Sequence, residues 1–436
     1  MPENLEAAEY DQDLPAQADV VVIGGGIIGV STALSLAEKG VSVALCEKGR
    51  IAAEQSSRNW GWCRVMGRSP GEIPLGIESL RLWRGMQDRV GTDVGFRQAG
   101  TMWLGDTARD MHDLEKWLDH ARAWQIDTQL LDVVQTGRAL PGSVRQFAGA
   151  LYTPSDGRAE PLKAVPAMAR AARHHGAIIL GNCAVRGVET QAGRISGVVT
   201  ERGRIACTAV VLAGGAWSRL FCGNTGLFLP QLKLLGSVLR TQPIDGPTEI
   251  AVGASDFSFR KRMDGGFTVT RRNANVVNIV PDSFRLLTDF LPTLRTSWRE
   301  LRLRVGKSFI DEWRVKRSWA LDEVTPFEQM RVLDPAPSRK IVDEGLDNLR
   351  RAFPVFAKAQ VAERWGGLID ATPDAVPVIS TVASLPGFHV ATGFSGHGFG
   401  IGPGAGRLMA DIVAGDQPIV DPVPFRFDRF RPAQAA

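Results

Sequence analysis

The chain of 436 residues carries 51 lysines and arginines against 47 acids, a formal charge of +4, with 44% hydrophobic and 22% charged residues. This is the composition of a soluble globular protein of about two to three structural units, and it excludes collagen-like, coiled-coil and wholly disordered chains. The charge excess is small and evenly spread, and even the densest basic stretch, Arg299 to Arg317, is interrupted by Glu300, Asp311 and Glu312, so a nucleic-acid partner is not expected.

The opening MPENLEAAEYDQDLPAQ is acidic and lacks an apolar core, so it reads as a lead-in and not as a secretory signal. No run of about 18 apolar residues follows, so no membrane span is expected. The five cysteines, Cys46, Cys63, Cys183, Cys207 and Cys222, are odd in number and lack C-x-x-C spacing. That argues against a disulfide framework and a thiolate metal site, and for a reduced, cytoplasmic protein.

Ala18 to Ile23 (ADVVVI) predicts a strand buried on both faces of a parallel sheet. It runs into Gly24-Gly25-Gly26-Ile27-Ile28-Gly29, then a helical segment ending near Gly40, then a second strand, VSVALCEKG, that reaches Glu47 and Lys48. This is a βαβ unit with G-x-G-x-x-G at Gly24, Gly26 and Gly29 and an acid 23 residues after the first glycine. Gly24 serves the tight turn, Gly26 the approach of a pyrophosphate, and Gly29 the closure of helix onto strand. The helix N-terminus, at Ile27 and Ile28, offers N–H groups and a positive dipole end to phosphate, and Glu47, with Lys48 beside it at the cofactor, would accept from ribose hydroxyls. The unit specifies a dinucleotide without separating FAD from NAD.

Further along, Gln55-Ser56-Ser57-Arg58-Asn59-Trp60-Gly61-Trp62-Cys63-Arg64 is a polar and aromatic loop. Trp83 and Trp117 fall at helical spacing with leucines and read as core. Asp156-Gly157 and Pro243 to Pro247 are turn signals. A helix, PLKAVPAMARAARHHGA, precedes a strand ending at Ala184-Val185, and RISGVVTERGRIA reads as a hairpin leading to Ala213-Gly214-Gly215-Ala216-Trp217. Residues 283–305 and 338–352 read as helices over an antiparallel sheet. Trp365 to Asp374 and then Pro377-Val378-Ile379 precede Ala391-Thr392-Gly393-Phe394-Ser395-Gly396-His397-Gly398-Phe399-Gly400-Ile401, a glycine-rich turn opening a helix with Leu408, Met409, Ile412 and Val413 as its apolar stripe.

These segments, scattered from residue 18 to residue 415, resemble the D-amino-acid oxidase superfamily of flavoproteins, with its glycine oxidase, sarcosine oxidase and amino-acid dehydrogenase branches. The resemblance implies an α/β fold in which a Rossmann-type FAD-binding domain (1–90, 155–230, 362–436) is interleaved with a substrate domain (91–154, 231–361) built on a mixed or antiparallel sheet with covering helices. It implies that Ser56, Ser57, Arg58, Asn59 and Trp60 pass the pyrophosphate and flavin, that Val185 contacts adenine, and that Ala213, Gly214 and Trp217 lie beside the cofactor. Gly367 lies on the strand returning to the flavin. The backbone of Gly393, Gly396, His397, Gly398, Phe399, Gly400 and Ile401 is implied to meet the flavin's pyrimidine edge, where a helix dipole stabilises the charge of reduction.

Departures from the family refine the expectation. Gly367 stands about where sarcosine oxidases carry the cysteine that bonds to flavin, and Arg58-Asn59 lacks the histidine of the dimethylglycine branch, so non-covalent FAD is expected. Ile369 stands near the carboxylate-binding arginine of glycine oxidase, and Gly400 replaces the lysine of sarcosine oxidases. Only two tyrosines, Tyr10 and Tyr152, are present, too few for a tyrosine lid. Arg64 is then the first candidate for a carboxylate clamp and for a catalytic role, with Arg271 and Arg272 next. Trp60 and Trp62 are candidate walls for the substrate, and His397 is either a backbone-positioning or an acid–base residue. The expected activity is hydride transfer from the α-carbon of an amino acid or N-substituted amine to FAD, with imine hydrolysis and O2 or a redox carrier as electron acceptor. The alternatives are a flavin oxidase of an alcohol or Amadori-type sugar amine, and an FAD-binding subunit of an electron-transfer complex.

Overall fold

The computed structural model describes residues 4–272, 274–297 and 301–430. The elements that build the site begin with β1 (Val20–Ile23), α1 (Ile27–Glu38), β2 (Val43–Cys46) and the two-residue β3 (Trp62–Cys63). There follow α2 (Ile73–Arg84), β4 (Thr101–Gly105), β5 (Gly157–Arg158), α3 (Pro161–His174), β6 (Ile178–Leu180) and β7 (Ala209–Leu212). The second half supplies β8 (Leu232–Thr241), β9 (Phe267–Thr270), α4 (Arg339–Ala352), β10 (Val361–Ala371), β11 (Val378–Thr381), β12 (Phe388–Thr392) and α5 (Gly398–Ala414).

One sheet has the order β11-β12-β7-β1-β2-β6, parallel throughout except for the antiparallel pair β11/β12. Every residue of β1 and β2 is buried, which is why these strands are apolar at consecutive and not alternate positions. α5 presses against α1, where a side chain at Gly402 would meet Ile27 at 2.9 Å. The other large sheet is mixed, with β8 pairing antiparallel to β9 and to β10. Its core is a phenylalanine cluster, Phe257, Phe259, Phe267, Phe353 and Phe356, packed with α4 residues Val342, Leu346 and Leu349. Among the described residues no helix is long and apolar enough to cross a membrane.

Of four local expectations, three change and one holds. The helix expected over 283–305 is two helices, Pro281–Arg285 and Leu287–Ser297; residues 298–300 lie outside the described residues, and Leu301–Arg304 is a strand parallel to Asn275–Asn278. Leu-Arg-Leu-Arg alternates with the period of a strand, and that signal outranks helix propensity. The segment 338–352 is helical as α4 from Arg339. Val185 opens a strand, Val185–Gln191, instead of closing one. β10, placed by sequence almost wholly within 362–436, pairs with β8 from Val361 to Ala371 and so belongs to the mixed sheet.

Candidate functional site

A cavity of about 540 Å³ is lined by Glu47, Lys48 and Val185, by Gly24, Gly26 and Ser56, and by His397, Arg64 and Trp103. Gly24 has φ +110°, and a side chain there would meet the Ala213 carbonyl oxygen at 2.5 Å. A side chain at Gly29 would overlap the Gly24 carbonyl oxygen. Gly26 differs: its backbone is extended (φ −74°, ψ 176°), and an added Cβ would meet only the Ser56 hydroxyl, at 3.1 Å. Gly26 therefore keeps space open at the start of α1 instead of adopting a conformation closed to other residues. The Ile27 N–H donates to Ser56 Oγ at 2.8 Å, and the N-cap has no side chain of its own to bond. This cradle fits a pyrophosphate.

Glu47 accepts from the Gly25 N–H (2.7 Å) and the Gly49 N–H (2.8 Å), and burial raises its carboxyl above the ordinary range. Lys48, expected at the cofactor, is committed to Glu54 (2.6 Å) and to the Met330 and Arg331 carbonyls, with its ammonium over the Trp217 ring at 4.7 Å. Trp217 in turn donates to Glu54 at 3.0 Å.

The segment expected as a phosphate loop contains a single helical turn, Gln55–Arg58. Ser56 lines the cavity; Ser57 turns away, its hydroxyl donating to the Glu54 carbonyl. Arg58 also lines the cavity, and its guanidinium binds Asp334 (2.5 Å) and the Ala53 and Gly366 carbonyls, so it ties this turn to β10 as well. A side chain at Gly367 would meet Arg58 Cβ at 3.2 Å, so the residue at the family's attachment position is hemmed in by the same arginine. Asn59 holds the turn through the Ser56 carbonyl and the Gly61 N–H. Trp60 and Trp62 meet edge to face, 5.5 Å apart, at the cavity wall.

At the glycine-rich loop, Gly396, His397, Gly398, Phe399 and Gly400 line the cavity, whereas Gly393 and Ile401 are packed behind them. Sequence reasoning missed what holds this loop. Buried Asp370 accepts from the Gly393 N–H (2.7 Å) and from Gln231 Nε2 (3.0 Å). Glu72, 1% exposed, stands 3.3 Å from His397 Nδ1. Burial alone would raise Glu72, but the hydrogen bond and charge of His397 together with Arg68 outweigh it and bring the carboxyl to about 2. Burial, reinforced by Arg68, lowers His397 to about 4. The pair is therefore a neutral imidazole donating its Nδ1 proton to a carboxylate. A residue larger than glycine at 400 would meet the Trp62 carbonyl at 2.8 Å, which leaves no room for the lysine of sarcosine oxidases.

Beyond that loop, the Arg64 and Arg272 guanidiniums lie over the same Trp103 indole, 5.0 Å and 4.2 Å from a ring centroid. Arg64 also donates to the Met66 carbonyl. Burial and then Arg68 push its guanidinium well below the ordinary value, against the pull of Asp156. Arg271 also lines the cavity but pairs with Glu344 at 3.3 Å, which weakens its case as a clamp. Trp103, Arg68 and Asp156 carried no motif; Asp156 was legible only as a turn residue.

Compared with known proteins, the family model described as FAD dependent oxidoreductase matches residues 19–412. L-amino acid deaminase from Proteus myxofaciens, solved in complex with anthranilate, is 36% identical with a TM-score of 0.93, covering 98% of this chain and 96% of that one. Sarcosine oxidase subunit beta from Arthrobacter sp. is 25% identical over 99% of this chain and 95% of its own length. Mitochondrial sarcosine dehydrogenase from Mus musculus is 24% identical over 96% of this chain, which spans 42% of that protein.

Proposed function

Because the chain belongs to the family of FAD-dependent oxidoreductases, we propose that it oxidises the C–N bond of a substrate that carries a carboxylate, an amino acid or an N-substituted amino acid. The observation that supports this most is the pair of guanidiniums, Arg64 and Arg272, over Trp103 in the cavity that also contains the Gly24–Gly26 cradle. With FAD bound, the site would be supplied with an acceptor for the hydride leaving the substrate's α-carbon. The remaining work belongs to the chain. Arg64 pairs with the carboxylate, Arg272 adds a second cation, and Trp60 and Trp62 wall the space in which the C–H bond is oriented. His397, neutral and tethered by Glu72, keeps the loop before α5 in place without adding a charge.

The resident FAD is held without a covalent bond in this reading, since glycine occupies position 367 and no histidine lies between Gln55 and Arg64. Acid precipitation of the holoenzyme is then expected to release FAD to the supernatant; flavin retained in the pellet would refute it. All five cysteines are buried and unpaired, as a reducing compartment leaves them, and a cytoplasmic setting accords with that. Anaerobic titration with amino acids and N-alkyl amino acids is expected to bleach the flavin with at least one. No bleaching by any member would favour an FAD-binding subunit. Reoxidation by air or only by a dye then identifies the class of electron acceptor.

A further inference from the structure

Asp156 is fully buried at the segment that carries Arg64. Its Oδ1 accepts the Val65 N–H at 2.7 Å and its Oδ2 the Met66 N–H at 3.4 Å. Its own carbonyl accepts the Gly100 N–H at 2.9 Å, and the next residue begins β5, which pairs with β3 immediately before Arg64. Arg64 closes the ring by donating to the Met66 carbonyl. The backbone on either side of Arg64 is thus fixed by β5 on one side and by one carboxylate on the other.

We propose that Asp156 is the positioning residue for Arg64 and that its ionisation gates the site, a carboxylate ligand binding more weakly once Asp156 is an anion. The proposal rests on the reading of Arg64 as the carboxylate clamp. Two effects of ionisation oppose each other. An anion strengthens the two amide hydrogen bonds, but a protonated carboxyl still offers an acceptor to them, so the loop keeps its path. The new negative charge, by contrast, competes directly with the ligand for the field of Arg64 and Arg68, and in a partly desolvated site that term dominates.

The surrounding groups do not supply this gate. Burial, opposed by the amides and by Arg64 and Arg68, raises the Asp156 carboxyl to about 7. Glu72 and His397, on the far side of Arg68, titrate at about 2 and about 4, and burial pushes the Cys63 thiol far up. Reciprocity then requires that a bound carboxylate raise the proton affinity of Asp156, so binding near neutrality takes up a proton.

The test uses holoenzyme and anthranilate, whose own groups do not titrate above about pH 6, followed by the flavin absorbance from about pH 6 to about pH 9. The wild-type Kd is expected to rise about tenfold as pH passes neutrality. Asp156→Asn, which keeps an acceptor but cannot ionise, is expected to bind with a flat profile at the tighter value. An unchanged inflection in Asp156→Asn overturns the proposal and leaves the Arg64 reading intact. Wild-type affinity in Arg64→Met at every pH, or no anthranilate binding by the wild type, overturns that reading and the proposal with it. Should Asp156→Asn fail to hold FAD, calorimetry of the wild type in two buffers of different ionisation enthalpy decides: proton uptake near neutrality supports the gate, and none refutes it.

Discussion

Ser79 enters the first turns of α5: its hydroxyl donates to the Gly400 carbonyl at 2.8 Å and accepts the Gly404 N–H at 3.2 Å. These two residues are one helical turn apart, so a side chain of α2 bridges successive turns of α5. Trp83, one turn further along α2, donates to the same carbonyl at 2.9 Å. Ser79→Ala removes both of these buried hydrogen bonds, a loss of about 1–3 kcal/mol. At roughly 1 °C per kcal/mol for a chain of this size, Tm is expected to fall by about 1–3 °C in the apoprotein as well as the holoenzyme. An unchanged Tm would mean that α5 closes its own ladder when the hydroxyl is removed.

The three fingerprint glycines separate into two kinds, and a pair of variants distinguishes them. Gly29→Ala places Cβ against the backbone of the Gly24 turn and is expected to lower the stability of the apoprotein itself. Gly26→Ala adds a methyl that meets only the Ser56 hydroxyl, so the apoprotein is expected to keep its circular dichroism and Tm while losing most FAD affinity. Retention of full flavin absorbance by purified Gly26→Ala would remove the pyrophosphate from this position.

His397 gives a pH-dependent stability with a definite sign. Its folded value, about 4, lies below the ordinary value of 6.5, so the unfolded chain binds the proton first as pH falls. Stability tied to His397 is therefore complete above about pH 6.5 and is lost on the way down to about pH 4. His397→Asn, which can still donate to Glu72, is expected to show a smaller drop in Tm than the wild type between about pH 7 and about pH 5. Parallel curves would mean that His397 binds its proton equally in the folded and unfolded chain.

Arg64→Met is expected to keep FAD and to raise KM for a carboxylate substrate roughly 30- to 150-fold, the equivalent of about 2–3 kcal/mol for a charge-assisted contact. Loss of FAD instead would make Arg64 part of the cofactor site. An unchanged KM would move the clamp to Arg272, the other guanidinium over Trp103.

The parts of this protein that were legible in its sequence are those whose signal is local. β1, the Gly24–Gly29 turn, α1 and Glu47 follow one another within thirty residues, and each residue type is dictated by its neighbours in the chain. The loop from Gly393 was legible for the same reason, because glycines at Gly393 and Gly396 with φ of +74° and +85° mark a turn that few other residues accept. What holds that loop was not legible. Glu72 reaches His397 across 325 positions and Ser79 reaches Gly400 across 321, and neither residue is unusual in its own segment. Arg58 was legible at the cavity but its partners were not, because Asp334 and the Gly366 carbonyl lie 276 and 308 positions away.

The strand order β11-β12-β7-β1-β2-β6 also bears on how the protein comes into being. During synthesis β1, α1 and β2 emerge together, and the phosphate cradle exists in outline while most of the chain is still unmade. β7 reaches β1 only after residue 209, and β12, whose end launches the loop that carries His397, only after residue 388. Contacts at such sequence separation form slowly, because chain entropy must be surrendered before they return any energy. The two parts of the cavity lining are thus brought together by pairings that form far apart in time, the glycine turn early and the loop before α5 last.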